Sequence, residues 1–264
     1  MKLVATSKLK RAQNMVKDNR PYALKLAEIL SRVTASSGAK NHPLLTEKSG
    51  KNVRLYVFTS DKGLCGGFNN SAIRFTKQVI QDQFSEKNIE VVAVGKKGSD
   101  YFSRRSEFNF KKHIEGVTKN PSYDPMQEIA FEAIKDFKDG TIDEVYVLYN
   151  EFVSVLAQKP TLEKLLPAVA PKQVDQKNVP YTFEPDEAGV LDTLIPDYLA
   201  ARLYLALLEN ASGEHGARMT AMDNATKNSK DLINKLTIVM NRARQAAITT
   251  ELMEIVSGAE SLKG

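Results

Sequence analysis

The residues of this chain best suited to chemistry are Gly63-Leu64-Cys65-Gly66-Gly67, which follow closely on the β-branched run Val53–Thr59. A glycine-rich turn from a strand into a helix can aim backbone N–H groups at a phosphate. No Gly-Lys-Ser/Thr follows, however, and the glycine spacing of a dinucleotide fold is missing. The segment therefore reads as a structural turn, with a phosphate cradle as the alternative. Val94-Gly95-Lys96-Lys97-Gly98 offers a second weak anion site. Cys65 stands near Lys62 and Asp61, but no neighbouring histidine could serve as its base, so a buried structural thiol is expected. His42, His113 and His215 have no ligand spacing to one another or to Cys65. No catalytic residue, cofactor site or metal site is expected.

The elements that carry these residues differ sharply along the chain. Residues 1–34 read as a helix whose Ala5, Leu9, Ala12, Val16, Asn19, Ala23, Leu26, Leu30 and Val33 recur at gaps of four and three, a heptad seam. Pro21 interrupts the seam and should bend it or loosen a turn. Ser36-Ser37-Gly38 and His42-Pro43 then mark a break. Val53–Thr59, Ile89–Val94 and Glu144–Tyr149 read as strands. They alternate with helical stretches near 70–85, 97–104 and 125–138, which predicts a Rossmann-like α/β domain over 50–170 with a largely parallel sheet. Six prolines from Pro160 to Pro196 predict loop, with a short strand near Leu165–Val169 and a linker over 171–196.

From Asp197 to Gly264 there is no proline. Read as one helix from Asp197 to Val256, this segment would extend for about 90 Å, too far for the core of a chain this size to swallow. Its seam is Met222, Ala225, Ser229, Leu232, Leu236, Val239, Ala243 and Ala246. Gly213 and Gly216 each weaken the helix by up to about 1 kcal/mol, so packing must support them or the helix is pliable there. The economical fold pairs the 1–34 and 197–264 helices as a long antiparallel coiled coil, with Leu232 and Leu236 facing the N-terminal helix. Small residues at Ala243, Ala246 and Ala247 suit close packing in a narrow sleeve.

Composition narrows the function classes. The chain has 264 residues, 26% of them charged, and a net charge of +5. Lys2, Lys8, Lys10, Arg11, Lys17 and Arg20 against Asp18 alone place that whole excess in residues 1–20. Such a basic arm fits nucleic acid, anionic lipid or an acidic protein surface. No apolar run is long enough to cross a membrane, and the N-terminus has no apolar signal core. A lone cysteine excludes an internal disulfide and suits a reducing compartment. Two rival readings are a nucleotide-binding α/β enzyme with a helical appendage and a coiled-coil nucleic-acid binder. The second would show steeply salt-dependent DNA binding, but it lacks aromatic residues among the basic positions.

Five stretches together carry a family resemblance. Ile248-Thr249-x-Glu251-x-x-Glu254-x-x-x-Gly258-Ala259-x-Ser261 resembles the C-terminal signature of the gamma subunit of F-type ATP synthases. Ala221–Ala225 with Asn241–Gln245, Thr59–Gly66 and Met1–Leu9 are similar to it too. Family members usually carry about twenty residues before the stretch that matches Met1.

The resemblance implies a non-catalytic central-stalk rotor subunit without cofactor. It would turn inside a ring of alternating alpha and beta subunits, with epsilon and the membrane rotor ring as further partners, and couple ion flow to ATP synthesis. The implied location is the cytoplasmic face of the bacterial plasma membrane, or else the mitochondrial matrix or chloroplast stroma side. Arg244, Gln245, Thr249 and Glu251 match positions that meet a beta-subunit loop. Lys8, Lys10 and Arg11 match a basic stretch facing the beta subunits' acidic lever.

Overall fold

The structure, a computed structural model, describes residues 1–34, 42–169 and 186–262. It divides into two units, residues 1–220 and 221–264. The element order is α1 (Lys2–Thr34), β1 (Asn52–Phe58), α2 (Phe68–Gln83), β2 (Asn88–Val94), α3 (Lys96–Phe102) and β3 (Asn109–Ile114). These are followed by α4 (Asp124–Lys138), β4 (Glu144–Phe152), β5 (Gln158–Leu166) and α5 (Glu187–Ser261).

Five strands form one sheet in the order β3-β2-β1-β4-β5. The β1–β2, β1–β4 and β2–β3 pairs are parallel, while β5 runs antiparallel to β4. Successive strand residues point to opposite faces, and here both faces are covered. Leu55, Val57, Val91 and Leu148 pack with Ala72 and Ile73 of α2 and Phe102 of α3. Their neighbours Tyr56, Phe58, Val92, Val94 and Val147 join α1, α4 and α5 in the main core. That two-sided burial explains why the three central strands read as largely apolar runs, with Arg54 of β1 held by Glu90 and Asp136.

The two edge strands were the harder elements to read. β3 carries Lys111 and Lys112 and is at most half-buried, so it has no apolar run to mark it. β5 extends from Gln158 to Leu166, where the sequence suggested loop and a short strand at 165–169. Pro160 sits in β5 opposite Asn150. Its missing N–H is tolerable because only one side of an edge strand is paired.

In unit 1 the two terminal helices pack antiparallel. Arg20 Nη2 of α1 donates to Glu209 Oε1 at 2.8 Å, Lys8 and His215 line one cavity, and Leu30 and Val33 share a core with Leu191, Leu194 and Ile195. Of the expected α1 seam, all positions are buried except Val16 and Asn19, which are half-buried. The helix is continuous through Pro21, which lies on the exposed face, where water can satisfy the freed carbonyl.

The helix α5 begins ten residues before the expected Asp197. Asp186 caps it, its Oδ1 accepting the Gly189 N–H at 2.7 Å. Pro196 inside the helix costs about 3 kcal/mol. Leu191, Ile195 and Leu199 are fully buried around it and contribute roughly 1.5–3 kcal/mol each, so burial wins. Of the predicted linker over 171–196, residues 171–185 lie outside the described residues, as does the expected break at Ser36-Ser37-Gly38.

Packing also accounts for the glycines of α5. A Cβ at Gly213 would come within 2.9 Å of the Phe68 ring and 3.2 Å of Gln158 Cγ, and one at Gly216 within 3.3 Å of the Phe152 ring. The bare backbone lets the start of α2 and the ends of β4 and β5 close against the helix. Of the two readings the sequence allowed, support by packing is the one observed.

One expectation is overturned. Leu232, Leu236 and Val239 are not buried in a seam; they are 57%, 58% and 63% exposed. The bulky stretch from Leu191 to Leu208 fills the α1 seam instead. Unit 2 is helical to Ser261 and leaves Ile248, Leu252, Ile255 and Val256 at least half exposed as well.

In the free chain, Leu236→Ala should therefore shift stability by less than about 0.5 kcal/mol. Leu199→Ala, at a position with no exposure, should cost about 2–5 kcal/mol. Urea melts of the two variants check this; equal losses would contradict the packing described.

Candidate functional site

The glycine turn after β1 is built from unusual backbone. Leu64 and Gly66 adopt φ of 62° and 58°, a left-handed conformation that costs a leucine energy and that its surroundings must hold. Asn69, in the first turn of α2, supplies that support. Its Oδ1 accepts the Ser60 N–H at 2.9 Å, and its Nδ2 donates to Ser60 Oγ at 2.8 Å and Cys65 Sγ at 3.3 Å. Cys65 is 2% exposed, and burial pushes its thiol up against the weaker opposing effects of Ser60 and Arg218. The neutral thiol dominates at pH 7, which fits the structural role expected of it.

The outward face of the turn is taken by α5. Arg218 donates from Nε to Gly63 O at 3.3 Å and from Nη2 to Gly63 O at 3.1 Å and Lys62 O at 3.2 Å. Glu214 Oε1 accepts from Arg218 at 2.7 Å, and Asn210 Nδ2 donates to Thr59 O at 3.4 Å. The turn thus offers carbonyls to an arginine, the wrong polarity for a phosphate.

The second glycine pair fares no better as an anion site. Near the start of α3, the Lys96, Lys97 and Gly98 N–H groups donate to Asp61 Oδ1, Ser60 O and Thr59 Oγ1 at 3.0, 3.0 and 2.9 Å. Gly95, at φ 105°, allows this: a Cβ there would lie 2.4 Å from Thr59 O. Donors already satisfied inside the protein cannot also cradle a ligand.

The three histidines are dispersed among separate partners: Asp192 for His42, Glu115 for His113 and Arg218 for His215. Among the described residues no His/Cys/Asp/Glu group could hold a metal ion.

The positions that resemblance assigned to partners fall in both units. Arg244, Gln245, Thr249 and Glu251 lie on the part of α5 in unit 2, and all four are exposed. At about 100° per residue, Arg244, Ile248, Glu251 and Ile255 form one stripe, with Gln245 and Thr249 on the flank. The Thr249 hydroxyl is occupied by its own helix, donating to Gln245 O at 2.9 Å. The Arg244 and Gln245 side chains make no hydrogen bond or ion pair among the described residues, so their polar groups are available to a partner. On α1, Lys8 and Arg11 share a face and line a cavity, whereas Lys10 projects from another side.

Sequence reasoning missed the polar ladder of α5: Arg202, Glu209, Asn210, Glu214 and Arg218. Arg202 holds Glu163 of β5 with two bonds at 2.6 and 2.5 Å. The available signal was a run of polar residues continuing the spacing of an apolar helix face, which marks a face pressed against backbone rather than against another apolar helix.

The comparisons with known proteins agree with this geometry. A family model described as ATP synthase matches residues 1–262. The ATP synthase gamma chain of Desulfitobacterium hafniense is 47% identical over 263 residues, covering 100% of this chain and 92% of that one. The gamma chain of Pelotomaculum thermopropionicum is 45% identical over 264 residues, with the same coverage. Among solved structures, a chain of the central stalk and c-ring of the Tetrahymena thermophila mitochondrial ATP synthase aligns with a TM-score of 0.64 and 27% identity, covering 86% of this chain and 97% of that chain. A chain from the Euglena gracilis mitochondrial enzyme, at 16% identity and a TM-score of 0.62, shares the fold over 99% of this chain and 94% of that chain.

Terminal helices paired within unit 1 against a mixed α/β layer, over a chain matched from end to end, define a stalk subunit of the ATP synthase class. The chain belongs to the gamma-chain family of F-type ATP synthases.

His215 provides a pH test of the packing. Burial, and then the charges of Arg218 and Lys8, push it down to about 4 from 6.5. The folded state therefore binds fewer protons than the unfolded state between these values. Stability from the neutral imidazole is complete above about 6.5 and is lost as pH falls toward 4. The melting temperature should drop across that window, and His215→Gln should make the drop shallower. An identical pH profile in the variant would contradict the assigned environment.

Proposed function

We propose that the chain works as the rotor shaft of an F-type ATP synthase, with the helix 221–261 turning within a ring of alpha and beta subunits. The observation that carries this is the exposed apolar surface of unit 2, in a chain matched from end to end to gamma chains. Aliphatic residues more than half exposed along so much helix call for cover by another surface. A helix without internal repeat presents a different face to each of three chemically alike sites. Each site is then biased toward a different state, and rotation moves that bias around the ring by differential contact. This chain supplies no chemistry of its own to the reaction.

Arg244, Gln245, Thr249 and Glu251 are the proposed contacts to a beta-subunit loop. Arg244 has the planar fork that binds a carboxylate through two parallel bonds, which lysine cannot reproduce. Lys8, Lys10 and Arg11 are proposed to face the acidic lever of the beta subunits, with the charge excess of residues 1–20 as support. The α/β layer is proposed to lie outside the ring, against epsilon and the membrane rotor ring. No described helix is long and apolar enough to cross a membrane. Association with the cytoplasmic face of a bacterial plasma membrane would then run through the complex, and the bacterial relatives support that setting over an organelle.

Co-purification tests the assembly: the chain should leave membranes together with alpha, beta and epsilon subunits. The isolated chain should show no ATP hydrolysis, and turnover that follows it through purification would refute the shaft reading. Replacing Arg244 and Gln245 together by alanine should leave the circular dichroism of the free chain unchanged. In the complex, truncating one member of a desolvated charged pair costs about 2–5 kcal/mol. ATP synthesis in reconstituted vesicles should accordingly collapse, and Arg244→Lys should restore only part of it. Full synthesis by the double variant would make this stretch a passive spindle.

A further inference from the structure

A cavity of about 140 Å³ opens between α1, the loop before α4, and α5, lined by Lys8 and Arg11, by Lys119 and Asn120, and by His215. Among the described residues, Lys8, Arg11, Lys119 and Asn120 have no ion-pair or side-chain hydrogen-bond partner, so three positive charges and an amide share one cavity without direct contact to a carboxylate. Two carboxylates in the neighbourhood are engaged elsewhere: Asp61 accepts from Thr118 Oγ1 and the Lys96 N–H, and Glu214 pairs with Arg218 at 2.7 Å. His215 Nδ1 lies 3.2 Å from Arg218 Nη1. A guanidinium can only donate, so Nδ1 accepts and the ring proton sits on Nε2 as a further donor.

We infer that this crevice is a binding site for a tetrahedral oxyanion of the phosphate class, held by Lys8, Arg11, Lys119 and the Nε2–H of His215. The like charges of Lys8, Arg11 and Lys119, brought together from α1 and the loop before α4, repel one another, and an anion among them turns that repulsion into attraction. The volume admits a phosphate group but not a nucleoside. The occupant is therefore inorganic phosphate or the terminal phosphate of a nucleotide whose remainder lies outside. Burial first, and then the charges of Arg218 and Lys8, hold His215 neutral, which leaves its ring as a hydrogen-bond donor and not a further charge. Lys119 and His215 distinguish this site from the basic face of α1 alone. The inference does not rest on the rotor reading, because the site lies within one unit of the free chain.

The test is titration of the full chain with inorganic phosphate, and separately with ADP, followed by calorimetry and by thermal shift against chloride at equal ionic strength. Saturable phosphate binding is expected. Lys119→Ala should weaken it roughly ten- to a hundredfold, the effect of deleting one charge-assisted bond. Lys10→Ala, which removes an equal charge outside the cavity, should leave it within about twofold, and Lys119→Arg should largely restore it. Tighter binding of ADP that is also abolished in Lys119→Ala would support the site and assign the nucleotide's phosphate as its source. A response no larger than that to chloride, or equal losses in Lys119→Ala and Lys10→Ala, would overturn it. So would binding of acidic peptides alone.

Discussion

The fold depends on how one stretch of α5, from Leu191 to Arg218, is held from two sides. Its apolar side chains close the core against α1 and the sheet. Its polar ones grip backbone and loops: Asn210 on Thr59 O, and Arg218 on the carbonyls of Lys62 and Gly63. An apolar interface alone resists separation but slides and rotates at low cost. Directed bonds to carbonyls fix rotation about the helix axis, because each weakens steeply with a small turn of the helix. For a member of the gamma-chain family that distinction matters, since torque is a demand on rotational register.

Those polar groups are held at an energetic disadvantage. Glu209 and Glu214 are nearly inaccessible, and burial raises both carboxyls despite Arg20 and Arg218 beside them. Buried ion pairs of this kind contribute little net stability compared with apolar residues of equal volume. Their value here is in position. Glu209 sets the register of α1 through Arg20, and Glu214 holds Arg218 in the conformation that reaches the glycine turn. The strained Leu64 and the bare Gly213 belong to the same arrangement, one shaping the turn and the other letting Phe68 approach.

Unit 2 answers to different physics. Within residues 221–261 the helix keeps its backbone bonds, while the large aliphatic side chains from Leu232 onward remain at least half in water. Free energy that a globular chain would draw from its own core is left for a partner to supply. A seam of heptad spacing states that a helix will be covered; it does not name the cover. That is why Leu232 and Leu236 could be read as the other half of α1's seam.

Elements with a local signal were legible in the chain alone. Central strands buried on both faces read as apolar runs, α1 and α5 read from their seams, and the motifs around Thr59–Gly66 and Ile248–Ser261 carried the family. Features that depend on neighbours emerged only in three dimensions. β3 and β5 are edge strands with much of their surface in water, so charge and Pro160 hid them. The start of α5 moved to Glu187 because burial around Pro196 outweighs the proline's local cost. The pairing of α1 with residues 191–215 shows only in the fold, because heptad spacing does not say which two seams meet. The gathering of Lys8, Arg11, Lys119 and His215 needed three elements to meet, a proximity that no spacing along the chain can express.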